Sequence, residues 1–270
     1  MIYSDKSLSQ KLERTEARAN ADFVETRATL EPEVNAEWID VAGVYAMFDG
    51  PESPCTQTFG LGLFEEITAV ELELLETFFR ERDAPIFHEV SPMADPSLMG
   101  LLSERGYAPL ELTSVMYRPL DSHVPAPPSR AELTTRVIEE DEAELWARTT
   151  AKGWSTEMDG LEDFMLGFGR ISARCQGAFP FLAELRGEPI STGMLFIYDD
   201  VCVLAGASTI PEARNQGAQN TLLADRLKFA ARRGCQLAIM GALPGSQSQK
   251  NAQKNGFHVA YTRTKWQMTV

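Results

Sequence analysis

Apolar positions recur along this chain with two periods, ~3.6 residues in some stretches and two in others, and the switches mark predicted helices and strands. In the first half, helix-like ELELLETFFRERDA (71–84) leads to strand-like IFHEV (86–90). Pro92, a short helix-like stretch and Gly106-Tyr107 follow, then an alternating strand LELTSVMYR (110–118). In the second half, TLLADRLKFAARRG (221–234) leads to QLAIM (236–240), then Pro244, SQSQKNAQKN, Gly256-Phe257 and a strand VAYTRTKWQM (259–268). One offset of 150 residues maps Phe79 to Phe229, Arg82 to Arg232, Val90 to Met240, Gly106 to Gly256 and Tyr107 to Phe257. Any two helix–strand–helix–strand segments slide into partial register, but a constant offset across both glycines favours an internal repeat.

Local signals support these elements. Leu223, Leu227 and Ala231 form a helical stripe, with Arg232 and Arg233 in the last turn and Gly234 at the C′ position. Ser246 and Gln249 form an S-x-x-Q capping box, and Asp95-Pro96 is an N-cap with a first-turn proline. Upstream in the second half, EDEAELWARTTAK and LEDFMLGFGRISAR read as helices. Three strand-like runs follow, FLAEL (181–185), ISTGMLFIY (190–198) and VCVLAGAST (201–209). They are separated by tight-turn breaks at Arg186-Gly187-Glu188-Pro189 and Asp199-Asp200. The second half is therefore expected to be α+β, an antiparallel meander feeding a β–α–β crossover.

Asp121–Ser129 carries three prolines, which forbid a helix and favour an extended connection. It divides the chain into residues 1–120, a Pro-rich linker at 121–130, and residues 131–270. Charge follows the same division: residues 1–120 hold 9 Lys+Arg against 22 Asp+Glu, and residues 121–270 hold 16 against 17. No Lys or Arg lies between Arg27 and Arg80, so an anionic ligand belongs with the second half. The net charge of −14 argues against nucleic acid, which needs clustered basic residues. No apolar run approaches the ~18 residues of a membrane span, and the polar N-terminal stretch is unlike a signal peptide. A cytoplasmic protein with reduced, buried thiols at Cys55, Cys175, Cys202 and Cys235 is expected. Only His88, His123 and His258 are present, without an i,i+4 pair, which disfavours zinc and histidine-dependent hydrolysis.

The informative segment is Thr209-Ile-Pro-Glu-Ala-Arg-Asn-Gln-Gly-Ala-Gln-Asn220, where a strand runs through a loop straight into a helix. First-turn N–H groups are unpaired and carry the positive end of the helix dipole, which suits an anion. Gly217 permits close backbone approach and Arg214 adds a fixed cation; the same features also serve a plain surface turn. The order of three antiparallel strands, Pro211, Arg-x-x-Gly, amphipathic helix, parallel strand, short helix and Gly-Phe resembles the GNAT superfamily of acyl-CoA-dependent N-acyltransferases over residues 131–270.

That resemblance implies two tandem GNAT-like domains, α+β / α/β, each a mixed, mostly antiparallel sheet flanked by helices. It implies that backbone N–H groups of Arg214, Asn215, Gln216, Gly217, Ala218, Gln219 and Asn220 hold the pyrophosphate of coenzyme A. Gln219 stands where Gly or Ala is usual. The backbone of Ala207, Ser208 and Thr209 is implied to pair with the pantetheine arm. The family's acid tyrosine falls on Ala252, leaving Asn251, toward pantetheine or thioester, and Ser248 as candidates to hold a proton or water; Glu184 is a candidate base. A solvated helix face is an equal reading of Asn251 and Ser248, and a surface carboxylate the commoner reading of Glu184.

At the offset of 150 the phosphate loop falls on Phe64-Glu-Glu-Ile-Thr-Ala69, without arginine or glycine and with two repelling carboxylates. The first half is thus expected to be a degenerate copy that binds no coenzyme A. Gly167-Phe-Gly-Arg-Ile-Ser172 lacks the third glycine and preceding strand of a dinucleotide fingerprint; no G-x-x-x-x-G-K-[ST] or G-x-S-x-G is present. Trp146, Trp154, Phe164 and Phe168 could line an acceptor pocket but at helical spacing read as core. The expected activity is acetyl transfer from acetyl-CoA, without metal, to a small-molecule or peptide amine, by a monomer or homodimer. The alternatives are a non-catalytic acyl-CoA sensor and a purely structural protein.

Overall fold

The computed structural model describes residues 2–120 and 132–269. The first half runs α1 (Lys6–Leu30), β1 (Glu37–Val41), β2 (Val44–Phe48), β3 (Gln57–Phe59), α2 (Ala69–Arg80), β4 (Phe87–Val90), α3 (Ser97–Glu104) and β5 (Tyr107–Pro119). The second runs β6 (Leu133–Val137), α4 (Ala143–Trp154), α5 (Leu161–Ser172), β7 (Ala178–Leu185), β8 (Glu188–Tyr198), β9 (Val201–Thr209), α6 (Ala218–Arg232), β10 (Leu237–Ala242), α7 (Gln247–Lys254) and β11 (His258–Met268). The 150-residue offset carries the bounds of α3 onto those of α7, so the repeat read from sequence is a repeat of elements. The Pro-rich linker at 121–130 lies outside the described residues. Among the described residues, no helix is long and apolar enough to cross a membrane.

The chain forms two compact units, Met1–Arg118 with Met240–Val270, and Pro119–Ile239. The last residues therefore group with the first unit, where the linear reading placed them with 131–270. The cause is β11, which pairs antiparallel with both β4 (Thr264↔Val90) and β5 (Tyr261↔Val115). Neighbouring strands in this unit follow the order β1-β2-β3-β4-β11-β5. One face of this sheet packs Val44, Leu72, Leu75, Phe79, Leu98 and Leu102 into an apolar core. A separate buried chain joins Thr58 to His88 (2.8 Å), His88 to Tyr107 (3.0 Å) and Tyr107 to Glu76 (3.3 Å). Burial pushes His88 down to about 3, so it serves this network as a neutral ring.

Ion pairing joins β11 to α1. Arg263, 3% exposed, donates to Glu13 (3.1 Å), Glu16 (2.8 Å) and Glu89 (2.9 Å). Lys265 faces Glu89 at 3.5 Å, and the Tyr261 hydroxyl donates to Glu13 at 2.8 Å. Burial outweighs Arg263 at Glu13 and raises its carboxyl to about 7. Because this lies above the ordinary 4.5, the folded state holds a proton that the unfolded chain releases between those two values. Stability from this group is therefore greatest at the acid end and falls as pH rises toward 7. Thermal melts should drop from pH 5 to 7.5, and Glu13→Gln should flatten that slope; an unchanged slope would remove Glu13 as its source.

In the second unit the neighbouring strands run β10-β9-β8-β7-β6, antiparallel except for β10 beside β9. The predicted hairpin turns are present, with Arg186 and Gly187 and then Asp199 in the left-handed region (φ +55°, +83° and +49°). Gly234 ends α6 at φ +90°, and the N–H of Cys235 reaches the Ala230 carbonyl (3.1 Å), the predicted glycine stop. Trp146 is core, 1% exposed, its indole donating to the Phe181 carbonyl at 2.9 Å. Phe164 corrects the core reading: it stacks on half-buried Phe168 but is itself 42% exposed. Glycine at 169 brings α5 so close that a Cβ there would lie 3.1 Å from the Ala147 backbone, which turns the aromatic stripe outward from α4.

Candidate functional site

The end of β9 and the start of α6 build the site. β10 pairs with β9 only through Leu237↔Val201, Ala238↔Cys202 and Ile239↔Val203. Beyond Val203 the β10 side of β9 has no partner strand among the described residues, and Ala205, Gly206 and Ala207 are exposed. On the other side the β8 register slips. Thr192 pairs with Ser208 and Met194 with Ala205, so Gly206 and Ala207 oppose the single residue Gly193. This is a β-bulge, with Gly206 in the left-handed region (φ +57°) that a glycine adopts without strain. The open edge thus starts two residues before the sequence expectation of Ala207–Thr209. Only the run of small residues Ala-Gly-Ala signalled it. Ala207 belongs to the edge. Ser208 is buried, its carbonyl accepting from Ser191 Oγ (2.5 Å) and Gln219 Nε2 (2.8 Å), so it is committed internally. Thr209 is half-buried, its hydroxyl meeting Ser191 and Gln219.

After β9, a short turn over Pro211–Ala213 leads to Arg214. Asn215 (φ +64°) and Gly217 (φ +88°) both take left-handed conformations, which fold the loop directly onto the first turn of α6. Among the described residues no side chain caps that turn, which leaves the first N–H groups of Ala218, Gln219 and Asn220 for a ligand or water. A Cβ on Gly217 would meet open space, so the glycine is required by its backbone angle. Gln216 is half-buried, and Asn215 and Asn220 are exposed.

Two side chains act differently from the sequence expectation. Gln219 turns back to the sheet, donating to Ser191 (2.9 Å), Ser208 (2.8 Å) and Thr209 (3.0 Å). It pins the helix start to the ends of β8 and β9 and leaves the first-turn backbone uncovered. Arg214 is not a free cation: it donates to the carbonyls of Thr209 (3.4 Å) and Gly153 (3.1 Å) and to Thr156 (3.0 Å), with Glu157 at 3.4 Å. It holds the turn after α4 against the end of β9. Close packing supports this clasp, since a Cβ at Gly153 would fall 2.4 Å from Ser208 Oγ. Thr150, Thr192 and Ser208 share a buried hydroxyl network there (2.8 and 3.1 Å). The neighbouring Trp154 indole N–H is buried without an acceptor among the described residues. Arg214→Ala should release residues 153–157, at a cost within about 1 kcal/mol for so exposed a group. Faster amide exchange confined to 153–160 is the expected result, and unchanged exchange would refute the clasp.

The catalytic candidates do not gather at this loop within the second unit. Glu184 sits at a register shift in β7, its carboxylate bound by Arg136 (3.0 and 3.4 Å), which also grips Glu142 (2.5 and 2.6 Å). Those bonds tie Glu184 of β7 to Arg136 of β6. Ser248 and Asn251 are exposed on α7, in the stretch that groups with the first unit. Asn251 accepts from Gln247 at 2.8 Å. Ala252 is 1% exposed, so the position of the missing tyrosine faces packed interior. In the first unit, the counterpart of the loop is closed from within. Thr68 caps the first turn of α2 at Val70 (3.1 Å), and Glu71 accepts from the Thr68 N–H (3.0 Å). Phe64 fills the space over Gly43 and Gly60, with Arg14 stacked 4.0 Å from its ring.

Residues 140–257 match the family model described as the Acetyltransferase (GNAT) family. No curated protein matches the sequence. The fold is similar to a GCN5-related N-acetyltransferase from Kribbella flavida, with 18% identity, 91% of this chain and 95% of that chain covered, and a TM-score of 0.66. It is also similar to a tandem GNAT protein from the clavulanic acid biosynthesis pathway, with 12% identity, 84% and 79% covered, and a TM-score of 0.59. A GCN5-related N-acetyltransferase from Sphaerobacter thermophilus matches at 17% identity over 78% and 71% of the two chains, with a TM-score of 0.56. Residues 140–257 are a domain of the GNAT acetyltransferase family, set in a chain that carries the fold of GCN5-related N-acetyltransferases over most of its length.

Proposed function

We propose that the chain transfers an acetyl group from acetyl-CoA to an amine, using the second unit alone. The observation that carries this reading is the join of an unpartnered strand edge, Ala205–Ala207, to an uncapped helix start behind Gly217. The pyrophosphate would lie on the backbone N–H groups of Gly217 to Asn220, and the pantetheine along the open edge of β9. The deprotonated amine nitrogen attacks the thioester carbon. The carbon–sulfur bond then breaks, its electron pair leaves with sulfur, and the proton lost from nitrogen reaches the thiolate. The first unit, with its helix start capped by Thr68 and no Lys or Arg from residue 28 to 79, would bind no coenzyme A.

The acceptor is read as a cationic amine with an apolar body. Residues 153–169 carry Glu157, Asp159, Glu162 and Asp163 with no Lys, Arg or His, and they expose Met158 and Phe164. The buried Ala252 and the paired Glu184 favour a second reading, an acyl-CoA-binding module without turnover. One experiment separates the two. Acetyl-CoA at a hundredfold over Kd should stabilise the protein by ~2.7 kcal/mol. A panel of amines should then yield acetylated product. Stabilisation without product in the whole panel selects the binding module; no stabilisation refutes both.

A further inference from the structure

Arg226 on α6 is 3% exposed, yet among the described residues it has no carboxylate partner. Its Nη1 donates to the carbonyls of Met194 (2.9 Å) and Ala205 (3.4 Å), and its Nε to Leu222 (3.3 Å). These first two residues form the last regular pair before the β8–β9 bulge. Space for the guanidinium exists only because residue 193 is glycine, since a Cβ there would lie 2.7 Å from Cζ. Among the described residues the Cys202 thiol is the one other ionisable group that acts on it, and burial lowers Arg226 to about 10, still charged at neutral pH. An unneutralised buried cation is expensive, and simpler side chains satisfy a bulge. Its position gives it a use. It sits beside the exposed edge along which an acyl thioester would lie, in a chain with alanine where a tyrosine would donate a proton to sulfur.

We propose that Arg226 serves the acyl site electrostatically: held in place by the Met194 and Ala205 carbonyls, its charge stabilises the negative charge gathering on the thioester oxygen and the departing coenzyme A sulfur. This rests on the acyltransferase reading above. In the step concerned, nitrogen adds to the carbonyl carbon and the carbonyl π-pair moves to oxygen. That pair then returns as the carbon–sulfur bond breaks, and sulfur leaves as thiolate before it takes the proton released by nitrogen. A fixed cation stabilises both anionic stages without moving.

The test uses the full chain, coenzyme A as probe and Arg226→Met, which keeps length and apolar stem, with Arg226→Lys as the second variant. Bound coenzyme A should ionise its thiol at lower pH in the parent than in Arg226→Met, read by thiolate ultraviolet absorbance, while the Kd for coenzyme A changes less than about threefold. With the best amine, kcat should fall ~10²–10³-fold in Arg226→Met. Arg226→Lys should recover part of it, with a new loss of activity as pH rises, because a buried Lys deprotonates early. Equal thiol ionisation and equal kcat in parent and Arg226→Met overturn the proposal. So does a kcat loss matched by equal losses of coenzyme A binding and melting temperature, the mark of a purely structural role. Should Arg226→Met fail to fold, a parent-like pH profile in Arg226→Lys overturns it. Absence of coenzyme A binding by the parent marks instead the failure of the acyltransferase reading, and the proposal falls with it.

Discussion

Replacing Arg263 with Met is expected to cost the protein about 3–5 kcal/mol, the usual penalty for stranding buried charges. Glu13, Glu16 and Glu89 all lose their shared cation, and Glu13 and Glu89 lie 1% and 5% exposed. Lys265, at 3.5 Å from Glu89, reaches only one of them. The loss should be larger at pH 8 than at pH 5.5, because Glu13, already raised to about 7, escapes by holding its proton at the lower pH. Adding Glu13→Gln should recover part of the stability of Arg263→Met. Chemical denaturation at both pH values measures this. A loss below about 1 kcal/mol would mean that water or rearrangement satisfies the carboxylates.

The second large effect is expected at Gly217. Its φ of +88° and open surroundings make the cost of Gly217→Val one of backbone strain rather than collision. A β-branched residue there costs ~1–3 kcal/mol or lets the loop relax away. Either outcome moves several N–H donors at once, so acetyl-CoA affinity should fall roughly tenfold or more, since ~1.4 kcal/mol is a factor of ten. Gly217→Asn should lose less, because Asn tolerates the left-handed region. Calorimetry with acetyl-CoA on both variants decides it. Binding by Gly217→Val at the parent's affinity would refute the loop as the pyrophosphate site.

Much of the fold was legible because its signals are local. Gly234 stopping α6, the Arg186-Gly187 turn and the Ser246 cap are read within a few residues of themselves, and each is found in place. The long α1 was missed: its buried face mixes Leu8, Leu12, Phe23 and Val24 with Ser9, Glu13, Thr15 and Asp22, so buried polar residues interrupt the apolar stripe. The ion pair of Glu184 was illegible for another reason, since its partner Arg136 is 48 residues away and invisible to spacing.

By itself, the sequence determined the repeat at 150 residues, the order of strands and helices from α2 to β5 and from α4 to β11, and a glycine loop opening a helix, because periodicity, caps and turn angles are properties of neighbouring residues. Only the tertiary structure decided which side chains meet. It set β11 between β4 and β5 under an Arg263 shared by α1 and β4, turned Gln219 and Arg214 inward as clasps, and opened β9 at Ala205. Those outcomes depend on strand pairing and buried charge across tens to hundreds of residues, where the free energy is settled by packing and desolvation rather than by local preference.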